Sequence, residues 1–173
     1  MFKQVLPVIV IREMETMTKP DIDRELRGDF FVRNSAVLSK IDFDPGILSG
    51  CLAIYEVIRV IDGVPLFLHE HLVRLDNSAR VTNVPLPGME DILNNIERLI
   101  KHPESPAFGN IRLLVSSPTS TEVNSDIHVY FIPHYYPTKD EYRNGIPLIT
   151  LSGEREFVHS KVINFDFRAY INE

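Results

Sequence analysis

From Tyr55 to Arg80 the chain reads YEVIRVIDGVPLFLHEHLVRLDNSAR, and every local signal in that run agrees on a hairpin followed by a helix. Ile54, Val57, Ile58, Val60 and Ile61 are β-branched and apolar, which suits a pleated strand. Asp62-Gly63 favours a two-residue primed turn, and Val64 to Phe67 supply the returning strand. From Leu68 the apolar period becomes helical. Leu68, Leu72, Leu75 and Ala79 share one side, while Glu70, Arg74, Asp76 and Arg80 point elsewhere.

Composition narrows what such a chain does. With 173 residues and 44% hydrophobic content it can bury a proper core, and it holds one domain or one domain and part of another. A net charge of −6 and the absence of a basic run argue against a nucleic-acid surface. The single cysteine, Cys51, rules out an intramolecular disulfide framework and fits a reducing compartment, the cytoplasm, as a buried thiol. Val5 to Ile11 is apolar but too short for a membrane span and is followed by Arg12 and Glu13, so it reads as a strand or packing arm.

In chain order, residues 1–29 read as an N-terminal extension in which Pro20 breaks any helix and Asp21 to Leu26 forms a short helical turn. Phe30 to Asp42 has strand character around a turn at Asn34-Ser35. After a loop at Asn83 to Pro87, Gly88-Met89-Glu90-Asp91 opens a second helix, with acidic residues in its first turn and Lys101 and His102 in its last. Pro103 and Pro106 stop it. Ile111 to Val115 and Ile127 to Ile132 read as strands joined by a polar, Ser- and Thr-rich loop. The fold class expected for residues 30–132 is therefore α+β, a small domain of antiparallel sheet packed on two helices. Residues 133–145, PHYYPTKDEYRNG, read as an interdomain linker. Residues 146–173 then begin a second, mostly-β domain, whose first strand, Ile146 to Leu151, is expected to present an unpaired edge.

The Tyr55 to Arg80 run resembles the signature of the fold-type IV pyridoxal-phosphate enzymes, which include branched-chain and D-amino-acid aminotransferases and aminodeoxychorismate lyase. The matching features are the aromatic-Glu pair Tyr55-Glu56, the turn at Asp62-Gly63, and the helix pattern of Leu68, His71, Arg74 and Leu75. Lys161 followed three residues later by Asn164 is similar to the lysine segment of that family. The resemblance implies pyridoxal 5'-phosphate as cofactor and residues 146–173 as the truncated beginning of its domain. It implies amino-group transfer between an amino acid and a 2-oxo acid by a symmetric homodimer. A lyase of the aminodeoxychorismate type shares these motifs. A remnant that keeps the fold and self-association without cofactor is the alternative from another class, since the family's later segments are not in this sequence.

The same resemblance assigns residues. Lys161 is the catalytic residue, whose amine forms a Schiff base with the cofactor aldehyde and moves the substrate's α-proton. Taken alone, a lysine is usually solvated surface. Arg74 matches the arginine that grips the cofactor phosphate, a task suited to a planar fork of donors. Asn164 joins Lys161 and Arg74 in binding cofactor, Tyr55 lines the substrate pocket, and His71 supports the Arg74 end of the helix. Pro45 stands where the family carries an arginine. Ser116-Ser117 stands where D-amino-acid aminotransferases carry another, which points away from D-amino acids. His69 and His71 are two apart, roughly 200° around a helix, so they make no metal site with Glu70.

Overall fold

The computed structural model of the chain describes residues 6–11, 22–48, 52–117, 125–153 and 160–163. In chain order its elements are β1 (Leu6–Ile11), α1 (Ile22–Glu25), β2 (Phe30–Arg33), β3 (Ala36–Ser39), β4 (Leu52–Ile61), β5 (Val64–Pro65), α2 (Leu68–Thr82), α3 (Met89–Lys101), β6 (Gly109–Ser117), β7 (Asp126–Ile132), α4 (Lys139–Asn144) and β8 (Leu148–Gly153). Six strands form an antiparallel sheet in the order β3-β2-β7-β6-β4-β5, and with its helices the fold is α+β.

Tight turns set the register at both ends of this sheet. Backbone φ is +45° and +67° at Asn34 and Ser35, and +50° and +72° at Asp62 and Gly63, the two positive values that a primed hairpin turn needs. Ser35 is an unfavourable residue for that conformation. Its N–H donates to Asn95 Oδ1 of α3 at 2.8 Å, which ties the turn to the helix. The return strand β5 is shorter than Val64 to Phe67. Leu66 N–H still donates to Arg59 O at 2.8 Å, but Phe67 turns left-handed at φ +52°, so the pairing goes no further and α2 begins directly.

Strand alternation sends alternate β4 side chains to opposite sides of the sheet. Ile54, Ile58 and Val60 face α2 and α3, where they meet Leu72, Leu75, Ala79, Ile92, Ile96 and Leu99 in the main core. Full burial of each such side chain contributes about 1.5 to 3 kcal/mol relative to exposure. The other side carries a second cluster of Leu26, Phe31, Phe43 and Tyr130. Phe43 meets Phe31 and Tyr130 edge to face, with ring centroids 5.2 and 5.1 Å apart. On α1, Glu25 accepts a hydrogen bond from Tyr130 Oη at 2.7 Å and pairs with the buried Arg112 of β6.

Outside this sheet, β1 pairs antiparallel with β8 from Leu6↔Gly153 to Ile11↔Leu148. The strand expected over Ile146 to Leu151 thus lies two residues later, and the edge expected to be unpaired has a partner from the N-terminal stretch. The Pro133 to Gly145 stretch is also more structured than its composition suggests. Thr138 and Glu141 form a capping box that starts α4, and Tyr136 stacks 4.2 Å from the Arg59 guanidinium while its hydroxyl donates to Asn110 Oδ1. Cys51, most of the Ser- and Thr-rich loop, Asn164, Phe165, Phe167, Tyr170 and Ile171 lie outside the described residues.

His128 on β7 is buried beside Phe31, and burial, reinforced by the positive charge of Arg33, pushes its pKa from 6.5 down to about 4 against Asp126 and Asp44. A histidine that is harder to protonate when folded stabilises the fold fully above about pH 6.5, and that contribution is lost as pH falls toward about 4. Urea unfolding between pH 7 and 4.5 is therefore expected to lose up to about 1.4 kcal/mol per pH unit below pH 6.5. The His128→Leu variant is expected to flatten that slope; an equal slope in both proteins would place the acid sensitivity elsewhere.

Candidate active site

One edge of β4 is paired with β6 from Leu52↔Ser117 to Val60↔Gly109, but on the other edge the returning segment reaches back only from Ile61 to Arg59, whose O accepts from Leu66 N–H. The open stretch of edge is filled by residues 161–163. Tyr55 N–H donates to Lys161 O at 3.0 Å, Ile163 N–H donates to Ala53 O at 3.0 Å, and Ile54 and Val162 form an antiparallel bridge. From α2, the buried Ser78 accepts the Lys161 N–H on Oγ at 3.3 Å. Ile163 packs against Ala53 and Leu114. The main chain of Lys161 is thus held by β4 and α2, while its side chain remains 36% exposed.

On the helix-facing side of β4, Glu56 takes the place between Ile54 and Ile58 and has no exposed surface. An ionised carboxylate there needs cations and donors around it. Arg74 Nε donates to Oε1 at 2.7 Å and Nη2 to Oε2 at 2.5 Å, while His71 Nδ1 lies 2.8 Å from Oε2. Lys161 Nζ stands 3.5 Å from the same Oε2. Burial alone pushes the Glu56 carboxyl up. The bonds from Arg74 and His71 and the charges of Lys161 and Arg74 outweigh it, so the group titrates below the usual carboxylate range. The bond to Glu56 in turn raises the Arg74 pKa.

The structure therefore brings Arg74 and Lys161 together on Glu56 and places Tyr55 near Lys161; the fourth residue assigned from sequence, Asn164, lies outside the described residues. Tyr55 points to the opposite side of β4 from Glu56. Its ring lies 5.8 Å from Lys161 Nζ and 5.5 Å from the Arg112 guanidinium. Lys161, docked along the edge, reaches toward both. In the sequence Glu56 stands out only as half of the aromatic-Glu pair, and nothing marks Ser78 or Arg112. The signal for Glu56 was present, because a carboxylate at an inward position of an apolar strand demands a cation on the facing element.

Chemically, the arrangement is a primary amine and a guanidinium sharing one buried carboxylate, with an aromatic ring 5.8 Å from the amine on the opposite side of β4. The Arg74 side chain is 45% exposed, and Nη1 makes no hydrogen bond among the described residues. An amine able to meet an aldehyde, a guanidinium able to meet a phosphate, and a flat aromatic wall fit pyridoxal phosphate as a group to be held here. Among the described residues no group of three His, Cys, Asp or Glu is placed to hold a metal ion, and no helix is long and apolar enough to cross a membrane.

If the Ser78 hydroxyl fixes the lysine segment, Ser78→Ala removes a hydrogen bond worth about 0.5 to 1.5 kcal/mol. Amide exchange at Lys161 is then expected to quicken roughly fivefold relative to Ile163, whose bond to Ala53 is untouched. An unchanged Lys161 rate, measured by NMR, would reduce Ser78 to packing.

Comparison with known proteins places this geometry in context. The chain is similar in structure to a branched-chain amino acid aminotransferase from Escherichia coli, at 18% identity and a TM-score of 0.52, covering 62% of this chain and 42% of that one. It is similar to a hypothetical aminotransferase from Mycobacterium tuberculosis in its PLP-bound form, at 23% identity and TM-score 0.51, covering 60% and 39%. A branched-chain amino acid aminotransferase from T.th., with pyridoxamine 5'-phosphate, matches at 20% identity and TM-score 0.52, covering 67% and 43%. The matched part spans about two fifths of each of these solved chains. No curated protein sequence matches the chain. The family model for amino-transferase class IV matches residues 53–172, well over half of the sequence, and the chain therefore belongs to the class IV aminotransferase family.

Proposed function

We propose that this chain carries the cofactor-holding part of a pyridoxal-phosphate-dependent enzyme that transfers an amino group between an amino acid and a 2-oxo acid. The observation that carries the reading is the convergence of Lys161 Nζ and the Arg74 guanidinium on the same buried carboxylate. Two of the similar structures hold PLP or pyridoxamine 5'-phosphate, which supports the choice of cofactor. When bound, that group supplies an aldehyde for amino groups and a ring that accepts electrons.

The residues divide the remaining work. Lys161 Nζ would hold the aldehyde end of that group and would serve as the base that takes and returns the proton at the substrate's α-carbon. Arg74, oriented by Glu56, grips the phosphate through donors that Glu56 does not use. Asn164 supports the cofactor from the lysine segment, and the Tyr55 ring walls the substrate side. Incubating the protein with pyridoxal phosphate, reducing with borohydride and mapping peptides by mass is expected to place the label on Lys161. Label on another lysine, or on none, overturns the reading.

The active species in this reading is a symmetric homodimer built through the small domain and at work in the cytoplasm. Sedimentation at micromolar concentration is expected to show a dimer, and a monomer there would refute this part.

A further inference from the structure

Glu56 does more in this site than a motif position requires. Among the described residues it is the carboxylate within ion-pair reach of both Arg74 and Lys161, and it makes those contacts with no exposed surface of its own. Arg74 gives it one full edge of the guanidinium, Nε and Nη2, at 2.7 and 2.5 Å. His71 adds a third contact from the same helix at 2.8 Å. The neighbours of Glu56 within β4, Ile54 and Ile58, are apolar and buried, and so is Leu113, its partner across β6. The charge is thus met entirely from α2 and from the lysine segment.

We propose that Glu56 is a resident counter-ion: it organises Arg74, His71 and Lys161 before any ligand arrives, and its charge weakens the hold of the site on a phosphate-class anion. The inference rests on the reading of Arg74 as a phosphate site. It assigns Glu56 a positioning role with two effects of opposite sign. The first is organisation, since a bidentate carboxylate fixes the plane of the fork and a shared oxygen draws the lysine to it. The second is competition, because a carboxylate and an incoming phosphate then share one guanidinium. Like charges at such short range repel, and the burial of Glu56 leaves little water to screen them.

Replacing Glu56 by Gln separates the two effects. The amide keeps the shape and one acceptor oxygen, so Arg74 keeps one of its two bonds and is only loosened. An arriving anion meets the same two cations without the carboxylate. The gain in charge exceeds the loss in orientation, because a full charge is removed whereas only one of two bonds to a partly exposed side chain is lost.

Thermal unfolding of the full chain, with inorganic phosphate titrated against chloride at constant ionic strength, tests this. In phosphate-free buffer Glu56→Gln is expected to lower Tm by roughly 4 °C or more. The phosphate concentration giving half of the stabilisation is expected to fall at least tenfold, and Arg74→Ala is expected to abolish the phosphate response in either background. A lowered Tm with an unchanged phosphate midpoint would leave Glu56 a merely structural residue and overturn the proposal, as would an unchanged Tm without phosphate. Glu56→Asp, which draws the carboxylate back by one methylene, covers the case in which the Gln variant does not fold; its midpoint is expected between wild type and Gln, and equality with wild type overturns the proposal. The measurement uses no pyridoxal phosphate. Tighter phosphate binding without a label on Lys161 would keep this inference and remove the cofactor, and a labelled Lys161 with unchanged phosphate midpoints would do the reverse.

Discussion

A carboxylate with no exposed surface imposes conditions on everything around it. Desolvation alone disfavours an ionised Glu56, so the facing element must deliver donors at fixed places. Helix α2 does so with His71 and Arg74, three apart and on one face, while Leu72, Leu75 and Ala79 of the same turns fill the core beneath. The rotation of α2 about its axis is therefore set twice, by packing and by charge, and both settings agree. Because the folded carboxyl titrates below its unfolded value, this contribution is present above the ordinary carboxylate range and lost as pH falls through the folded value.

The edge of β4 explains how a lysine so far along the chain meets that carboxylate. A two-residue β5 leaves unsatisfied donors and acceptors along the first half of the strand, and residues 161–163 satisfy them. Backbone pairing fixes the register of Lys161 against Tyr55, and the side chain need only span the last few ångströms to Glu56. The price is closure of a long loop, which grows only logarithmically with length.

The sheet, its two helices and the hairpin turns were legible because local signals dominated them: Asp62-Gly63 and Asn34-Ser35 both adopt the positive φ values that their turns require. The boundaries that differ do so for local stereochemical reasons, as at β5, where the left-handed Phe67 cuts the strand short. The pairing of β1 with β8 was not legible, since strands 142 residues apart at Leu6 and Leu148 carry no mark of each other. Arg74 and Lys161 were legible only through a family pattern, because neither periodicity nor composition marks a lysine as anything but surface. Glu56 lay between those cases. Its inward register on an apolar strand was readable, but the partners that make it tolerable come from two distant segments.

Stability alone gives no reason for a carboxylate at this position. Replacing a buried ion pair by apolar side chains of similar volume is often neutral or stabilising, since the desolvation of the charge is then avoided. That holds with more force here, because Arg74 and Lys161 are 45% and 36% exposed and would remain solvated without their partner. A methionine or leucine among Ile54, Ile58 and Leu113 would fill the space with none of that cost. What it would not do is hold a guanidinium by one edge and draw an ammonium to within 3.5 Å of the same oxygen. The carboxylate is accounted for by the geometry it imposes on two cations, and that geometry matters only if both must meet one ligand.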